Sequence, residues 1–340
     1  MFRNDYSEVG ALPVIEALKE NALKQNVGYG VDDHSKRAEK LILKEFGLNL
    51  KNAEVHFLAG GTQTNTVGLS FFLRPFEGVI ACDTGHINTH ETGALEARGH
   101  KIYAVKNEDG KIKPEDIDKA MKLHHDEHVV KLSMVYISDA TETGTTYTKK
   151  ELLDIRKVCD KHNLLLFIDG ARLGVALTIK DTDVDAKLIG KIADVFYVGG
   201  TKNGALYGEA LVIKKNDKSD YFRYYIKNSG SMLAKGFNLG IQFETLFTNN
   251  LYFELAKNSN KQAEYIRNEL EKLNVTLVGS SKSNQIFIEV KKSLANKLIK
   301  NFGVELWEDK DKYQIVRIVT SFNTQKEECE DLIDFIKKSL

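Results

Sequence analysis

The sequence has few of the residues that mark secreted or membrane-spanning proteins. Its 340 residues include three prolines, one tryptophan and three cysteines, Cys82, Cys159 and Cys329. An odd number of cysteines without a C-x-x-C spacing argues against a disulfide framework or a structural zinc site, and it predicts a reducing, cytoplasmic environment. The longest uncharged stretch, Val55–Leu73, has Gly-Gly-Thr-Gln-Thr-Asn at its centre, so no membrane span is expected.

An excess of charge of one sign is also absent. The 48 lysines and arginines balance the 48 aspartates and glutamates, which argues against a nucleic acid or an anionic membrane as a partner. The first five residues, Met1–Asp5, become charged where a secretory signal would be apolar. A hydrophobic content of 42% is typical of a folded chain, and the length allows two domains or one large α/β unit.

The sequence does contain a succession of short apolar segments separated by turns and helical patterns. Several segments lack alternation, as expected for strands of a sheet that is covered on both faces. The pattern predicts an α/β fold with a large, mostly parallel sheet. The predicted strands are Val55–Leu58, Gly78–Ala81, Ile102–Val105, Leu132–Ile137, Leu164–Ile168, Val195–Val198 and Ala210–Ile213.

The pattern changes after the last of these strands. A long helical pattern covers Phe237–Leu273, two strand-like segments follow at Gln285–Val290 and Gln314–Val319, and a final helix is predicted over Lys326–Lys338. We therefore expect an N-terminal arm (1–14), a large domain that holds the ligand site (15–250) and a small α+β domain (251–340).

Ligands of open α/β sheets bind beyond the carboxyl ends of the strands, so the residues that follow the strands are the candidates for a site. Gly60-Gly61-Thr62 ends the first strand and begins a helix, and backbone N–H groups at such a position can hold a phosphate. The alternative is a plain strand-to-helix turn. Neither a dinucleotide fingerprint nor a P-loop motif occurs in the chain.

Two further residues suggest a cofactor. Asp169 follows a strongly apolar strand, where a carboxylate needs a cationic or N–H partner, and nearby Arg172 is one candidate. Lys202 follows another strand and two glycines; taken alone it would be a solvated loop lysine. Together with the phosphate loop, the pair suggests pyridoxal phosphate, with Lys202 as the Schiff-base lysine and Asp169 keeping the pyridine nitrogen protonated.

Four motifs extend this hypothesis to a family. They are Gly-Gly-Thr-Gln-Thr-Asn (60–65), Asp-Thr-Gly-His-Ile-Asn-Thr-His-Glu-Thr-Gly-Ala (83–94), Phe-Ile-Asp-Gly-Ala-Arg-Leu (167–173) and Gly-Gly-Thr-Lys-Asn-Gly-Ala (199–205). As a set they resemble the threonine aldolase family of the β-eliminating lyases. The resemblance, which runs from Asn4 to Ser321, implies the aspartate-aminotransferase-like fold (fold type I) of pyridoxal-phosphate enzymes.

The resemblance also implies roles for the matching residues. Lys202 resembles the Schiff-base lysine, Asp169 resembles the partner of the pyridine nitrogen, and His86 resembles the histidine that stacks on the ring and takes part in proton transfer. Arg172 and Arg317 resemble the arginines at the cofactor hydroxyl and the substrate carboxylate. The residues that match the phosphate-binding positions are Gly60, Gly61, Thr62 and Thr201.

Three more positions concern the substrate and the assembly. Asn4 aligns with a serine that touches the substrate carboxylate in better-known members. The family forms dimers or tetramers with active sites shared between subunits, so a homodimer or homotetramer is expected. Two residues are candidates to act across such an interface, Tyr29 in binding the substrate and Lys235 in binding the cofactor. The alternatives are that Tyr29 is an ordinary aromatic residue of a loop and that Lys235 is an ordinary surface lysine.

The chain departs from the family at one motif. Better-known aldolases carry Asn-Thr-His-Asn-Gly, with a histidine near the substrate hydroxyl, where this chain has Ala-Thr-Glu-Thr-Gly at positions 140–144. Glu142 is therefore a candidate to receive the hydroxyl proton, with His86 and His90 as the alternatives.

The resemblance implies a pyridoxal-phosphate-dependent aldehyde-lyase. It would cleave a β-hydroxy-α-amino acid of the L-threonine or L-allo-threonine type to glycine and an aldehyde. The alternatives are β-elimination or transamination of another amino acid, and a catalytically inert binding protein of the same fold. No metal is expected, because His124 and His128 share a helix face without a third ligand of known position.

Overall fold

The strands of the protein form two sheets. The computed structural model describes residues 1–217 and 219–340. The strands in these residues are β1 (Ala53–Leu58), β2 (Glu77–Cys82), β3 (Ile102–Val105), β4 (Lys131–Ser138), β5 (Leu165–Asp169), β6 (Val195–Gly199), β7 (Glu209–Lys214), β8 (Thr276–Leu277), β9 (Gln285–Lys291), β10 (Glu305–Asp309) and β11 (Tyr313–Val319). The larger sheet has the order β1-β7-β6-β5-β4-β2-β3, and the smaller has the order β10-β11-β9-β8.

Helices connect most of these strands. Those in the described residues are α1 (Leu12–Glu20), α2 (Asp33–Glu45), α3 (Gly61–Phe72), α4 (His86–Thr89), α5 (Pro114–Leu123), α6 (Lys149–Lys161), α7 (Leu173–Ala176), α8 (Ala186–Ile192), α9 (Phe222–Asn228), α10 (Phe237–Phe247), α11 (Leu251–Lys272), α12 (Lys292–Phe302) and α13 (Lys326–Ser339). Local sequence explains where some helices begin. Thr148 and Glu151, for example, form a capping box at the start of α6.

The predicted large sheet is confirmed. The seven predicted strands correspond to β1–β7, and each predicted end lies within two residues of the observed one. Strands β2 to β6 run parallel, whereas β7 is antiparallel to both of its neighbours, β1 and β6. The sheet is therefore mostly parallel, and the carboxyl ends of β2, β4, β5 and β6 meet at one edge, together with that of β1.

Both faces of the large sheet are covered, which explains the continuous apolar strands. On one face, Ile42 of α2, Ile155 of α6 and Phe243 of α10 belong to a single buried cluster. On the other face, Val67 of α3 and Phe222 of α9 belong to a second cluster. The burial of these clusters is the main source of the fold's stability.

The prediction of one long helix over Phe237–Leu273 is wrong, because this segment forms two helices, α10 and α11, with a turn between them. Thr248 has an extended backbone (ψ 134°), and Asn249 and Asn250 have φ angles of 53° and 64°. Asparagine tolerates this left-handed region better than most residues, so two adjacent asparagines allow the turn. The segments predicted at Gln285–Val290 and Gln314–Val319 are confirmed as β9 and β11, whereas α12 and β10 were not predicted.

The first residues of the chain pack against its last third. Phe2 is 1% exposed and belongs to a buried cluster formed otherwise by residues 263–336. Its N–H donates to the Phe302 carbonyl at 2.8 Å, and its carbonyl accepts from the Val319 N–H at 3.0 Å. The division into an arm (1–14), a large domain (15–250) and a small domain (251–340) stays a prediction.

Across residues 1–217 and 219–340, none of the helices is both long enough and apolar enough to cross a bilayer.

Candidate active site

A cavity of about 320 Å³ opens at the carboxyl edge of the large sheet. Nine of the residues predicted from the sequence line it: Gly60, Gly61, Thr62, His86, Glu142, Asp169, Arg172, Thr201 and Lys202. Its other lining residues are Tyr6, Ala59, Ser138, Ala140, Ala171, Tyr197, Tyr207 and Glu209. Residues from the ends of five strands therefore share one cleft, as expected for an open α/β sheet.

Asp169, the last residue of β5, is 3% exposed. Its carboxylate accepts hydrogen bonds from the hydroxyls of Tyr136 and Tyr197, from Asn65 Nδ2 at 3.0 Å and from the Ala171 N–H at 3.0 Å. Burial acts to raise the pKa of Asp169, but the charge of His86 and these hydrogen bonds outweigh it and lower the pKa. The carboxylate is thus held ionised inside the protein.

Arg172 does not pair with Asp169, although the sequence left that possibility open. Its guanidinium binds the carboxylate of Asp5 through Nε–Oδ2 at 2.7 Å and Nη2–Oδ1 at 3.0 Å. Asp5 is 1% exposed and also accepts from Asn284 Nδ2 at 2.9 Å. Asp169 therefore lines the cavity without a bond to Arg172.

Lys202 lies in the loop between β6 and β7, where its side chain lines the cavity. Burial and, next, the charge of Arg172 lower the pKa of its ammonium group, against the opposing effect of Asp5 and other acids. A lowered pKa increases the fraction of neutral amine, which is the nucleophilic form. The ring of Tyr6 lies 5.9 Å from Nζ.

Backbone geometry brings Asp169 and Lys202 to adjacent strand ends. A Cβ added at Gly170 would lie 1.8 Å from the carbonyl oxygen of Tyr197. Glycine is therefore required where the chain leaves β5 against β6.

The amino end of α3 forms another wall of the cavity. Gly60 is the N-cap residue, and among residues 1–217 and 219–340 no side chain caps the first N–H groups of this helix. A Cβ added at Gly60 would meet nothing within 4 Å, so the space before the helix is open. Uncapped N–H groups and the helix dipole favour an anion at this point. Thr201 lies nearby, and its hydroxyl accepts from the Gly208 N–H at 3.0 Å.

His86 faces the cavity from the start of α4. Its Nδ1 lies 2.8 Å from Glu91 Oε1, and that oxygen also accepts from Asn65 Nδ2 at 2.7 Å. Burial acts to lower the pKa of His86, but the hydrogen bond to Glu91 and the charge of Asp169 outweigh it and raise the pKa. Asn65 therefore donates both to Glu91, which contacts His86, and to Asp169.

Glu142 lies on the loop after β4. Its Oε1 accepts from Ser138 Oγ at 2.8 Å and from the His86 N–H at 3.0 Å. Burial and, next, the negative charge of Asp169 raise the pKa of Glu142. A raised pKa makes a carboxylate a stronger base than an ordinary one, which suits general acid–base chemistry.

The comparisons with known proteins identify the family of this chain. The sequence model of the beta-eliminating lyases matches residues 3–293. This chain belongs to the beta-eliminating lyase family. A low-specificity L-threonine aldolase from Pseudomonas sp. (strain NCIMB 10558) is 30% identical over 266 residues, which are 77% of this chain and 76% of that protein. The predicted resemblance is confirmed.

Solved structures agree with this family assignment. A Leishmania major threonine aldolase superimposes with a TM-score of 0.97 at 41% identity, covering 99% of this chain and 98% of that chain. Cystalysin from Treponema denticola, which contains pyridoxal 5'-phosphate, has a TM-score of 0.72 at 15% identity, covering 97% of this chain and 88% of that chain, and shares the fold. The predicted α/β fold of type I is confirmed.

In this beta-eliminating lyase, five predicted residues do not line the cavity. His90 and Arg317 are close to it: the His90 ring centroid lies 5.4 Å from that of His86, and burial, followed by the charges of His86 and Arg317, lowers the pKa of His90. Asn4 Oδ1 accepts from the Tyr6 N–H at 3.1 Å and from Ser7 Oγ at 2.8 Å, which fixes the turn beside Asp5.

Tyr29 and Lys235 lie together on another surface of the beta-eliminating lyase. The Tyr29 N–H donates to the carbonyl of Ala234 at 3.0 Å, and Tyr29 and Lys235 are both exposed. Their predicted action across a subunit interface stays a prediction.

Several residues of the site were missed from the sequence. They are Asp5, Asn65, Glu91, Tyr136, Tyr197 and Glu209, which are all buried. A signal existed for the tyrosines, because a hydroxyl within an apolar strand needs a polar partner. Asn65 lies within the first motif but was not singled out. Glu91 lies within the second motif, five positions from His86, and was not singled out either. Asp5 is 167 positions from Arg172, the residue that it contacts.

Proposed function

We propose that this beta-eliminating lyase uses pyridoxal 5'-phosphate to cleave a β-hydroxy-α-amino acid of the L-threonine or L-allo-threonine type to glycine and an aldehyde. The observation that carries the proposal is the cavity itself. A buried, ionised Asp169, a buried Lys202 and the uncapped start of α3 share it, in a chain 41% identical to the Leishmania major threonine aldolase.

The residues of the cavity fit this cofactor. Gly60, Gly61 and Thr62 offer N–H groups to the phosphate, with Thr201 beside them. Lys202 is the residue for the covalent link, and Asp169 is the acceptor for the pyridine N–H. When bound, pyridoxal phosphate supplies an electron sink.

The side chains of the protein supply positioning and proton transfer. Asp169, held ionised by the charge of His86 and by the hydrogen bonds of two tyrosine hydroxyls, would stabilise positive charge at the ring nitrogen of the bound cofactor. The carboxylate that pairs with Arg317 belongs to Glu305, whose side chain is half-exposed. The carboxylate that pairs with Arg172 belongs to Asp5, which is buried. This difference favours Arg317 as the group that binds the substrate carboxylate, and Arg172 as a residue that supports the cofactor side of the cavity.

For the hydroxyl proton of the substrate, Glu142 is the acceptor that the contacts favour. It lines the cavity, and its raised pKa makes its carboxylate a stronger base than an ordinary one. His86 is the alternative, since it also faces the cavity. His90, which does not line it, is less favoured.

The test is the reaction of purified protein, loaded with the cofactor, with L-threonine and L-allo-threonine. We expect equal amounts of acetaldehyde and glycine, measured by a coupled alcohol dehydrogenase assay and amino-acid analysis. Lys202→Ala removes the nucleophilic amine and should reduce kcat at least about 1000-fold. Formation of an oxo acid instead would indicate β-elimination or transamination, and full activity of Lys202→Ala would overturn the proposal.

We also propose that the chain assembles as a homodimer or homotetramer in the cytoplasm. Exposed apolar residues near the N-terminus support an interface: Leu12, Leu23 and Val27 are 75%, 98% and 64% exposed. The three free, buried cysteines fit a reducing compartment. Light scattering after size-exclusion chromatography would measure the assembly, and a monomer at micromolar concentration would contradict it.

A further inference from the structure

Arg317, on β11, lies between two polar partners of different character. Its Nη1 donates to Gln285 Oε1 at 3.0 Å, and its Nη2 donates to Glu305 Oε2. The guanidinium carbon lies 5.2 Å from the centre of the Trp307 ring. The guanidinium is therefore held from both sides and along one face.

Gln285 is the fixed partner. It is fully buried at the start of β9, and its Nε2 donates to the carbonyl of Thr141 at 3.2 Å. An amide can accept from a guanidinium and donate to a carbonyl at the same time, which a carboxylate cannot do. Because Thr141 precedes Glu142, the same amide connects Arg317 to the loop that carries Glu142.

Glu305 is the displaceable partner. It lies on β10, an edge strand, and its side chain is 46% exposed, whereas that of Arg317 is 14% exposed. An ion pair with one half-exposed member contributes little to stability, because water can replace the contact. Glu305 can therefore leave the guanidinium at small cost.

The Nε atom of Arg317 differs from its two Nη atoms, which both donate to side chains. Its Nε is buried and makes no hydrogen bond to any of the residues that the structure describes. Nε and Nη2 form one edge of the guanidinium, and a carboxylate that binds this edge with both oxygens satisfies both atoms. Glu305 contacts Nη2 alone, so the Nε atom of this edge does not take part in the ion pair.

Arg172 provides the contrast within the same molecule. Asp5 closes its Nε–Nη2 edge with both oxygens, and Asp5 is itself buried and bound to Asn284. That edge has no atom left for a ligand. Arg317 thus differs from Arg172 in having both an orphaned Nε and an exposed counter-ion.

We propose that Glu305 is the counter-ion that a substrate carboxylate replaces on Arg317, and that Gln285 is the positioning residue that holds the guanidinium for this exchange. The inference rests on the proposed function in taking an α-amino acid as the ligand. Glu305 then weakens amino-acid binding, whereas Gln285 strengthens it. Substitutions at these two neighbours of one arginine should act in opposite directions.

The test is the binding of glycine to the cofactor-loaded protein by isothermal titration calorimetry. Glu305→Gln should lower the Kd for glycine about two- to fivefold, because the competing charge is removed. Glu308→Gln makes the same charge change on the same exposed strand, but Glu308 pairs with Ile315 rather than Arg317, so the Kd should stay unchanged. Glycinamide lacks the carboxylate, so its affinity should not respond to Glu305→Gln.

Gln285→Met should raise the Kd for glycine at least about tenfold, because a hydrogen bond to a charged group is lost. Weaker or unchanged glycine binding by Glu305→Gln would overturn the proposal, as would an equal gain for glycinamide or no saturable glycine binding by the wild type. Normal glycine binding without aldehyde release from threonine would contradict the proposed function alone.

Discussion

Two tyrosines from different strands set the charge of Asp169. Tyr136 on β4 and Tyr197 on β6 flank β5, and both hydroxyls donate to the carboxylate at its end. Parallel pairing in register brings Ser138 of β4 beside Asp169, which fixes the distance between the strands. A buried carboxylate with several donors stays ionised at a lower pH than an isolated one.

Removing one of these donors should therefore shift a pH profile. Tyr197→Phe removes a hydrogen bond that stabilises the charged form, so the pKa of Asp169 should rise. We expect the acid side of the kcat/KM profile to move to higher pH and the activity to fall about tenfold. Tyr225→Phe is the control, because its hydroxyl donates to Ser70 instead. If the acid side of the kcat/KM profile does not move in Tyr197→Phe, the hydroxyl of Tyr197 does not lower the pKa of Asp169 and the prediction is wrong.

The Asp5–Arg172 pair makes a prediction about stability. Asp5→Asn leaves the Arg172 charge buried without its partner, so the free energy of unfolding should fall by about 3–5 kcal/mol in urea titrations at pH 7. The pKa of Asp5 is lowered: burial acts to raise it, but the charges of Arg172 and Lys202 outweigh that effect.

The sign of the pH dependence follows from that direction. Because the folded pKa lies below the ordinary value of 3.8, the stabilisation is present above pH 3.8 and is lost as the pH falls through the folded pKa. The difference between wild type and Asp5→Asn should thus shrink in acid. A difference that grows as the pH falls below 3.8 would contradict this explanation.

At the scale of elements, the turn between α10 and α11 depends on backbone conformation. Asn250 has a φ of 64° and is the N-cap residue of α11, and its Nδ2 donates to Glu254 Oε1 at 3.0 Å. A β-branched residue is strongly disfavoured in this conformation, so Asn250→Val should lower the free energy of unfolding by about 1–2 kcal/mol. Asn250→Gly should change it by less than about 0.5 kcal/mol. Equal losses for both variants would indicate that the side-chain contact, not φ, matters.

The same turn illustrates what a sequence can predict. The strands β1–β7 were predictable because apolar runs between turn residues mark strands that are buried on both faces. The break at Asn249–Asn250 was missed because the apolar period of a helix continues across it. Asp169 and Lys202 were predictable as cavity residues because they lie at or after strand ends and occur together with the Gly60-Gly61-Thr62 loop.

Residues that complete the site through long-range contacts were not predictable in this way. Asp5 and Arg172 are separated by 167 positions, and no local pattern records such a pair. Arg317 was identified by resemblance, but its partners Gln285 and Glu305 depend on the register of β9, β10 and β11. Register follows from the packed sheet rather than from the strand sequence by itself.

At the scale of the whole molecule, the N-terminal residues connect the cluster in the last third of the chain to the cavity. Phe2 is buried in that cluster, Asp5 binds Arg172, and Tyr6 lines the cavity. These three contacts lie within five consecutive residues. Loosening Phe2 should therefore affect the site as well as the cluster.

Phe2→Ala tests this connection. Removing a buried aromatic ring should lower the free energy of unfolding by about 3–5 kcal/mol, and the freed arm should weaken the Asp5–Arg172 pair beside Lys202. We expect weaker binding of pyridoxal phosphate, measured by its absorbance on titration. Val9→Ala is the matched control, since Val9 lies in the same arm but is 72% exposed. If Phe2→Ala loses stability but keeps its affinity for the cofactor, Phe2 stabilises only the cluster. Asp5 then keeps its position when the Phe2 ring is absent.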